Sequence, residues 1–185
     1  MNLIQVVDDE PQILSALQRA LRPLGCPIHT FSDPQQALQA LTSHEYAVII
    51  SDYKMPGLDG ITYLRFAKQR RPEALRMMFS GHGDRQSMIQ AINDAEVYRF
   101  LSKPWEDYEI EAALRSAVEL YQSRRENRQL LDRVRRQQSV LRRQKEELLR
   151  LEANHPGLTR VRRDADGALL LDDDELAGWP GGDHG

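Results

Sequence analysis

The chain has 185 residues, enough for one domain of ordinary size and a further segment. Its net charge of −3 argues against nucleic-acid binding by bulk electrostatics, and its single cysteine, Cys26, excludes an internal disulfide framework or a cysteine-built metal site. No apolar run approaches the roughly 20 residues that span a bilayer, and the first ten residues carry acids where a secretory signal needs an apolar stretch, so cytoplasmic residence is expected.

Short apolar runs alternate with helical patterns along the first 120 residues. Leu3–Val7 reads as a strand ending in acids. Pro11 suits a first helical turn, and Ile13, Leu14, Leu17 and Leu21 follow at helical spacing. Ile28–Phe31 is a second strand, and Asp33-Pro34 is an N-cap and N1 pair opening a helix through Leu41. Ala47–Ile50 has the nearly continuous apolar character of a buried parallel strand. A Pro/Gly loop over Met55–Gly60 leads to a helix over Ile61–Gln69. A strand over Leu75–Phe79, a helix from Asp84 to about Asn93 and a strand over Val97–Leu101 follow. This alternation predicts an α/β fold, a doubly wound five-stranded parallel sheet in a domain over 1–120.

The last helix, starting near Asp107, does not stop where the domain should. No proline or glycine occurs between Glu109 and Pro156. A heptad stripe runs through Ala113, Leu120, Asn127, Val134, Leu141 and Leu148, with Leu130, Gln137, Gln144 and Leu151 three residues on and Leu131, Gln138 and Lys145 four residues on. A helix over 108–153 is about 70 Å long, too long to bury its stripe on a domain roughly 30 Å across. A coiled coil through 108–153, as a parallel homodimer, is the expectation. Asn154-His155-Pro156-Gly157 then breaks the helix, 154–172 reads as a β-hairpin, and 173–185 is an acidic, flexible tail.

Charge follows the same divisions. Residues 1–120 hold 12 Lys+Arg against 16 Asp+Glu, residues 121–152 hold 10 against 5, and residues 153–185 hold 3 against 7. The basic stretch around Arg124, Arg125, Arg128, Arg133, Arg135 and Arg136 allows a nucleic-acid reading. The apolar stripe passes through these arginines, which favours a solvated coiled-coil face, so nucleic acid is not the expected partner.

Three acids fall at strand ends: Asp8 and Asp9 after the first strand, Asp52 after the third. Neighbouring strand ends in a doubly wound sheet make these carboxylates converge, and they repel unless a cation sits among them. An oxygen-only set favours Mg²⁺. Ser80 ends the fourth strand and Lys103 follows the fifth, reaching the same rim. An oxygen nucleophile facing a metal, an ammonium and a hydroxyl is the equipment of phosphoryl transfer.

Four motifs, Val7-Asp8-Asp9-Glu10-Pro11, Ser51-Asp52-Tyr53-Lys54-Met55-Pro56-Gly57-Leu58-Asp59-Gly60, Phe79-Ser80-Gly81-His82 and Phe100-Leu101-Ser102-Lys103-Pro104-Trp105, resemble the receiver domains of bacterial two-component response regulators. The resemblance covers residues 1 to about 120. It implies that Asp52 accepts a phosphoryl group from a sensor histidine kinase. It also implies that Asp9 ligates Mg²⁺ directly, Asp8 through water or alongside it, and Lys54 through its backbone carbonyl. Ser80 and Lys103 would bind phosphoryl oxygens, Phe100 would be the switch aromatic, and the peptide before Pro104 would be cis. The block from Ala91 to Trp105 resembles receivers that precede phosphodiesterase or transcription-factor outputs, and no such output is recognised in the remaining residues. The expected role is switching rather than enzymatic turnover, with an unidentified downstream protein reading the coiled coil. The alternatives are a transcriptional regulator using the basic helix, and a phosphate sink or auxiliary phosphatase drawing on Glu126 and Gln129.

Overall fold

The structure, a computed structural model, describes residues 2–81 and 93–154. In chain order these residues form β1 (Ile4–Val7), α1 (Pro11–Ala20), a 3-10 turn (Arg22–Leu24), β2 (Ile28–Phe31), α2 (Pro34–Ser43), β3 (Val48–Asp52), α3 (Gly60–Arg70), β4 (Leu75–Ser80), β5 (Val97–Ser102) and α4 (Asp107–Asn154). The helix predicted from Asp84 lies outside the described residues apart from a helical turn over 93–95, and the predicted hairpin over 154–172 and the tail lie outside them as well.

All strand pairings are parallel, in the order β2-β1-β3-β4-β5. Each strand therefore ends at the same edge, and the fold is the doubly wound sheet predicted from the alternating pattern. The period-2 alternation of side chains sorts the strands into two cores. Ile4 and Val6 of β1 and Val48 and Ile50 of β3 face α1 and the first half of α4, meeting Leu14, Leu17, Ile110, Leu114 and Val118. Val7 and Ile49 face the opposite side, against Leu38 and Leu41 of α2 and Ile61 and Leu64 of α3. β1, β3 and β4 are buried along their whole length, which explains why they read as unbroken apolar runs.

The exceptions inside those runs are partnered. Gln5, fully buried in β1, donates from Nε2 to the Ala37 carbonyl at 3.0 Å and accepts the Tyr63 hydroxyl on Oε1 at 2.5 Å. Arg76, 5% exposed in β4, donates to the carbonyls of Ala95 at 2.6 Å and Ala74 at 2.7 Å and pairs with Glu96 at 3.4 Å. A buried polar group left unpartnered costs about 1–3 kcal/mol, so these contacts tie strands to helices and loops as firmly as packing does.

The helix starts obey sequence rules. Asp33 accepts from Gln35 N–H at 2.8 Å, and Asp59 accepts from Thr62 N–H at 2.9 Å, each satisfying an amide the first turn leaves free. α4 is one helix from Asp107 to Asn154. Its buried residues stop at Tyr121. Up to Gln129 the chain forms one compact unit, and the residues from Leu130 belong to a second. Arg128 is ion-paired with Glu73. Beyond it Leu130, Val134, Leu141 and Leu148 are 46–63% exposed.

Burial drives the Tyr63 hydroxyl pKa far up, with the neighbouring Tyr46 adding to the shift, so the hydroxyl stays a donor to Gln5 across the physiological range. Tyr63→Phe removes that donor and leaves Gln5 Oε1 without it. The expected loss is about 1–3 kcal/mol of unfolding free energy, read as a lowered midpoint in urea with an unchanged slope.

Candidate phosphoacceptor site

The site is built at the carboxyl ends of β1, β3 and β5. Asp8 directly follows β1 and is fully buried, and Asp52 is the last residue of β3, 8% exposed. The parallel β1–β3 pairing sets Val7 opposite Ser51, so the next residue on each strand is a carboxylate at the same edge. Two acids so placed repel, and Lys103, one residue past β5, supplies the cation between them. Its Nζ lies 2.7 Å from Asp8 Oδ2 and 2.6 Å from Asp52 Oδ1.

The remaining oxygens are held by backbone. Glu10 N–H donates to Asp8 Oδ1 at 3.0 Å, and Lys54 N–H donates to Asp52 Oδ2 at 3.0 Å. Ser80 ends β4, and its carbonyl accepts from Lys103 N–H at 3.2 Å, tying the lysine to the neighbouring strand. The Lys103-Pro104 peptide is cis. Trp105 stacks beside Phe79 with ring centres 5.3 Å apart, and Lys103 Nζ lies 5.7 Å from the centre of the Phe79 ring. The ammonium thus has an apolar wall under it and two carboxylates ahead of it. Phe100 is half-buried against the α2–α3 core and borders a cavity of about 380 Å³ with Trp105, Tyr108 and Ile110.

Electrostatics follow from this geometry. Burial raises the Asp8 pKa, and the hydrogen bonds from Lys103 and Glu10 oppose that rise without cancelling it. For Lys103, burial works against the charged form, but hydrogen bonds to Asp52 and Asp8 and their negative charges outweigh it and raise the pKa. The lysine's contribution to stability is therefore fully present below its ordinary value of 10.5 and is lost as pH rises through the raised folded value.

The residues predicted from sequence are brought together in part. Asp8, Asp52 and Lys103 form one hydrogen-bonded cluster. Asp9 instead lines an adjoining open cleft with Tyr53, Lys54, Met55, Pro56 and Asp59. Among the described residues, no three His, Cys, Asp or Glu side chains gather closely enough to hold a metal ion by themselves. Two of the three carboxylates predicted at the strand ends thus share the Lys103 ammonium, and Asp9 stands in the cleft beside them that Lys54 also lines.

One residue central to the site was not singled out from the sequence for its role. A Cβ on Gly60 would collide with the backbone carbonyl of Asp52, and Gly60 N–H donates to the Tyr53 carbonyl at 2.9 Å. The first turn of α3 thus sits directly against the end of β3, an approach that only glycine permits. The signal available was the Asp59-Gly60 pair, an N-cap followed by the poorest helix former short of proline.

Residues 4–115 match the family model described as the response regulator receiver domain. The chain is 34% identical over 116 residues to the hydrogenase transcriptional regulatory protein HoxA of Cupriavidus necator, covering 63% of this chain and 24% of that protein. It is 32% identical over 126 residues to the DNA-binding transcriptional regulator NtrC of Escherichia coli K12, covering 68% of this chain and 27% of that protein. Among solved structures, the signal receiver domain of an HD domain-containing protein from Pseudomonas fluorescens Pf-5 superposes with a TM-score of 0.64 at 42% identity, covering 68% of this chain and 92% of that one. The chain spans about a quarter of the length of the first two of these relatives.

Two substitutions test the cluster's electrostatics. Lys103→Met leaves two apposed carboxylates and is expected to lower stability at pH 7 by roughly 2–4 kcal/mol, the low side of the ~3–5 kcal/mol for a broken buried pair because the ammonium is partly exposed. The deficit should shrink as pH falls and Asp8, whose pKa burial raises, becomes protonated. Asp52→Asn leaves one carboxylate matched to one ammonium and should raise the thermal midpoint. Calorimetry of the three proteins across pH checks both signs.

Proposed function

Because this chain belongs to the response regulator receiver family, matching its model over residues 4–115, we propose that Asp52 is its phosphoacceptor and that a sensor histidine kinase is the donor. The observation that carries this reading is the Asp52 carboxylate, held at the end of β3 between the Lys103 ammonium and the Lys54 amide. A carboxylate oxygen of Asp52 attacks phosphorus, the bond from phosphorus to the donor's histidine nitrogen breaks, and that nitrogen takes up a proton. Lys103 then pairs with a phosphoryl oxygen in place of a carboxylate oxygen, and the Ser80 hydroxyl binds a second. Such positioned positive groups stabilise the charge on the transferring group.

Asp8, Asp9, Asp52 and the Lys54 carbonyl would hold Mg²⁺, an oxygen-only donor set of the kind this ion takes, and the ion would supply charge neutralisation at the phosphoryl oxygens. The partial match between two carboxylates and one ammonium supports the fit, since the cluster keeps one negative charge uncompensated. Lys103 leaving Asp8 for the phosphoryl group, and Phe100 moving in the cavity beside Tyr108, are the proposed first events of the switch. The chemistry serves switching rather than turnover of a separate substrate.

The output we propose is the homodimeric coiled coil expected over 108–153, its paired part the exposed half of α4 beyond Tyr121, which a downstream protein reads in the cytoplasm. The support is α4 itself, one helix to Asn154 with exposed leucines in heptad spacing beyond its packed half. Among the described residues, no helix is long and apolar enough to cross a membrane. DNA binding belongs to the name of NtrC, transcriptional regulation to that of HoxA, and an HD domain to that of the Pseudomonas fluorescens protein; this chain shares with them the receiver segment.

Two measurements test the reading. Incubation with a small-molecule phosphodonor and Mg²⁺ should add one phosphoryl group to the intact mass, none to Asp52→Ala, and none with the metal chelated. Light scattering after size exclusion should give a dimer for the full chain and a monomer for residues 1–120; a monomeric full chain defeats the dimeric output while leaving the phosphoacceptor intact.

A further inference from the structure

The exposed half of α4 carries information about orientation as well as association. With Asn127, Val134, Leu141 and Leu148 at the a positions of a heptad, Leu130, Gln137, Gln144 and Leu151 take the d positions. Residues 126, 133, 140 and 147 then flank the seam as g, and 124, 131, 138, 145 and 152 as e. We propose that this helix pairs antiparallel with the helix of a second copy, centred on Ser139, so that Asn127 of one chain faces Leu151 of the other. The proposal rests on the dimeric reading above and specifies its partner and direction.

Charge complementarity selects this arrangement. In a parallel, in-register pair each g residue faces the e residue five positions on in its partner. Glu147 then faces Glu152 on both sides of the seam, while Arg133 faces Gln138, Val140 faces Lys145 and Glu126 faces Leu131, so from Asn127 onward the flanks hold a repulsion and no ion pair. Glu119 would meet Arg124 one layer earlier, at Leu120, but that layer is turned to the receiver core. In the antiparallel pair g faces g and e faces e. Arg133 then faces Glu147, and Arg124 faces Glu152, each contact occurring twice by symmetry. Shifting the antiparallel register by one heptad toward the receiver end sets Glu126 against Glu147. The opposite shift shortens the paired stretch and breaks both ion pairs.

The seam agrees. Either direction buries the same side chains, so the apolar contribution does not choose between them. The parallel pair stacks Asn127 on Asn127, Gln137 on Gln137 and Gln144 on Gln144. The antiparallel pair sets Gln137 against Leu141 and Gln144 against Val134, and no layer holds two amides. The charges it uses are also available. Within α4 the intrahelical ion pairs are Glu111 with Arg115, Asp132 with Arg135, and Arg142 with Glu146. Among the described residues, Arg124, Arg133, Glu147 and Glu152 take part in no ion pair.

Charge reversal on the full chain separates the two directions by sign, with the dimer dissociation constant read by sedimentation equilibrium. At these exposed positions the substitutions leave the packed core untouched. Antiparallel pairing predicts that Glu147→Arg weakens the dimer about tenfold, or about 1.4 kcal/mol, because it sets Arg against Arg133. Arg133→Glu weakens it similarly, and the double variant restores it. A tighter dimer for Glu147→Arg, where Arg would meet Glu152 of a parallel partner, overturns the antiparallel assignment while keeping the dimeric output. Unchanged dimerisation in all three variants overturns it by placing the interface elsewhere. A monomeric wild-type chain defeats both the direction and the dimer.

Discussion

Two carboxylates on separate strands, Asp8 and Asp52, share the single ammonium of Lys103, and much of the domain's geometry is what that sharing demands. The acids become neighbours because β1 and β3 are adjacent and in register. Lys103 must reach them from β5, two strands beyond β1's neighbour, so the segment after β5 turns back across the end of β4. The Lys103 amide on the Ser80 carbonyl and the Trp105 ring beside Phe79 hold it there. Such a cluster is costly to desolvate, and its arrangement is tolerable because nearly every oxygen accepts a charged or backbone donor. The unequal count, two acids for one base, leaves the strand ends electronegative and suited to a cation.

The sheet was legible because its central strands are buried on both faces and carry apolar residues almost without interruption. The site was legible because acids and a lysine at strand ends stand out against those runs. What escaped were contacts made by residues with no distinguishing chemistry of their own. Gln5 looks like a flaw in β1 until Tyr63, 58 positions away, is seen to donate to it. Gly60 reads as loop punctuation, yet its missing side chain is what lets α3 meet β3. Asp8 and Asp9 are chemically identical and adjacent, and nothing in their spacing says that one is buried beneath Lys103 while the other faces a cleft. Strand ends were also drawn short: β3 includes Asp52 and β4 includes Ser80, since polar residues at a parallel strand's end still complete the ladder.

One periodic sequence serves two purposes in α4. Through Tyr121 its apolar stripe closes the core against β1, β3 and β4. From Leu130 the same period continues with its leucines exposed and its flanks filled by arginine and glutamate. The period is unbroken but the covered face changes: the seam carried back to the receiver falls on Ser116 and Ser123, both exposed, while the core side buries Ile110, Leu114, Ala117, Val118 and Tyr121. The distinction lies in residue choice: small alanines such as Ala113 and Ala117 where the helix lies close on the sheet, amides and charges where it does not.

The contact of Gly60 with the Asp52 carbonyl makes the stretch from the end of β3 to the start of α3 a single inherited block. Backbone against backbone leaves no side chain to adjust, so a mismatch there has no compensating substitution nearby. Chimeras that exchange α3 with another protein's helix would have to carry residues 52–60 along with it, and crossover points inside that stretch would be lost from a recombination library while those in the loop before Leu75 survive.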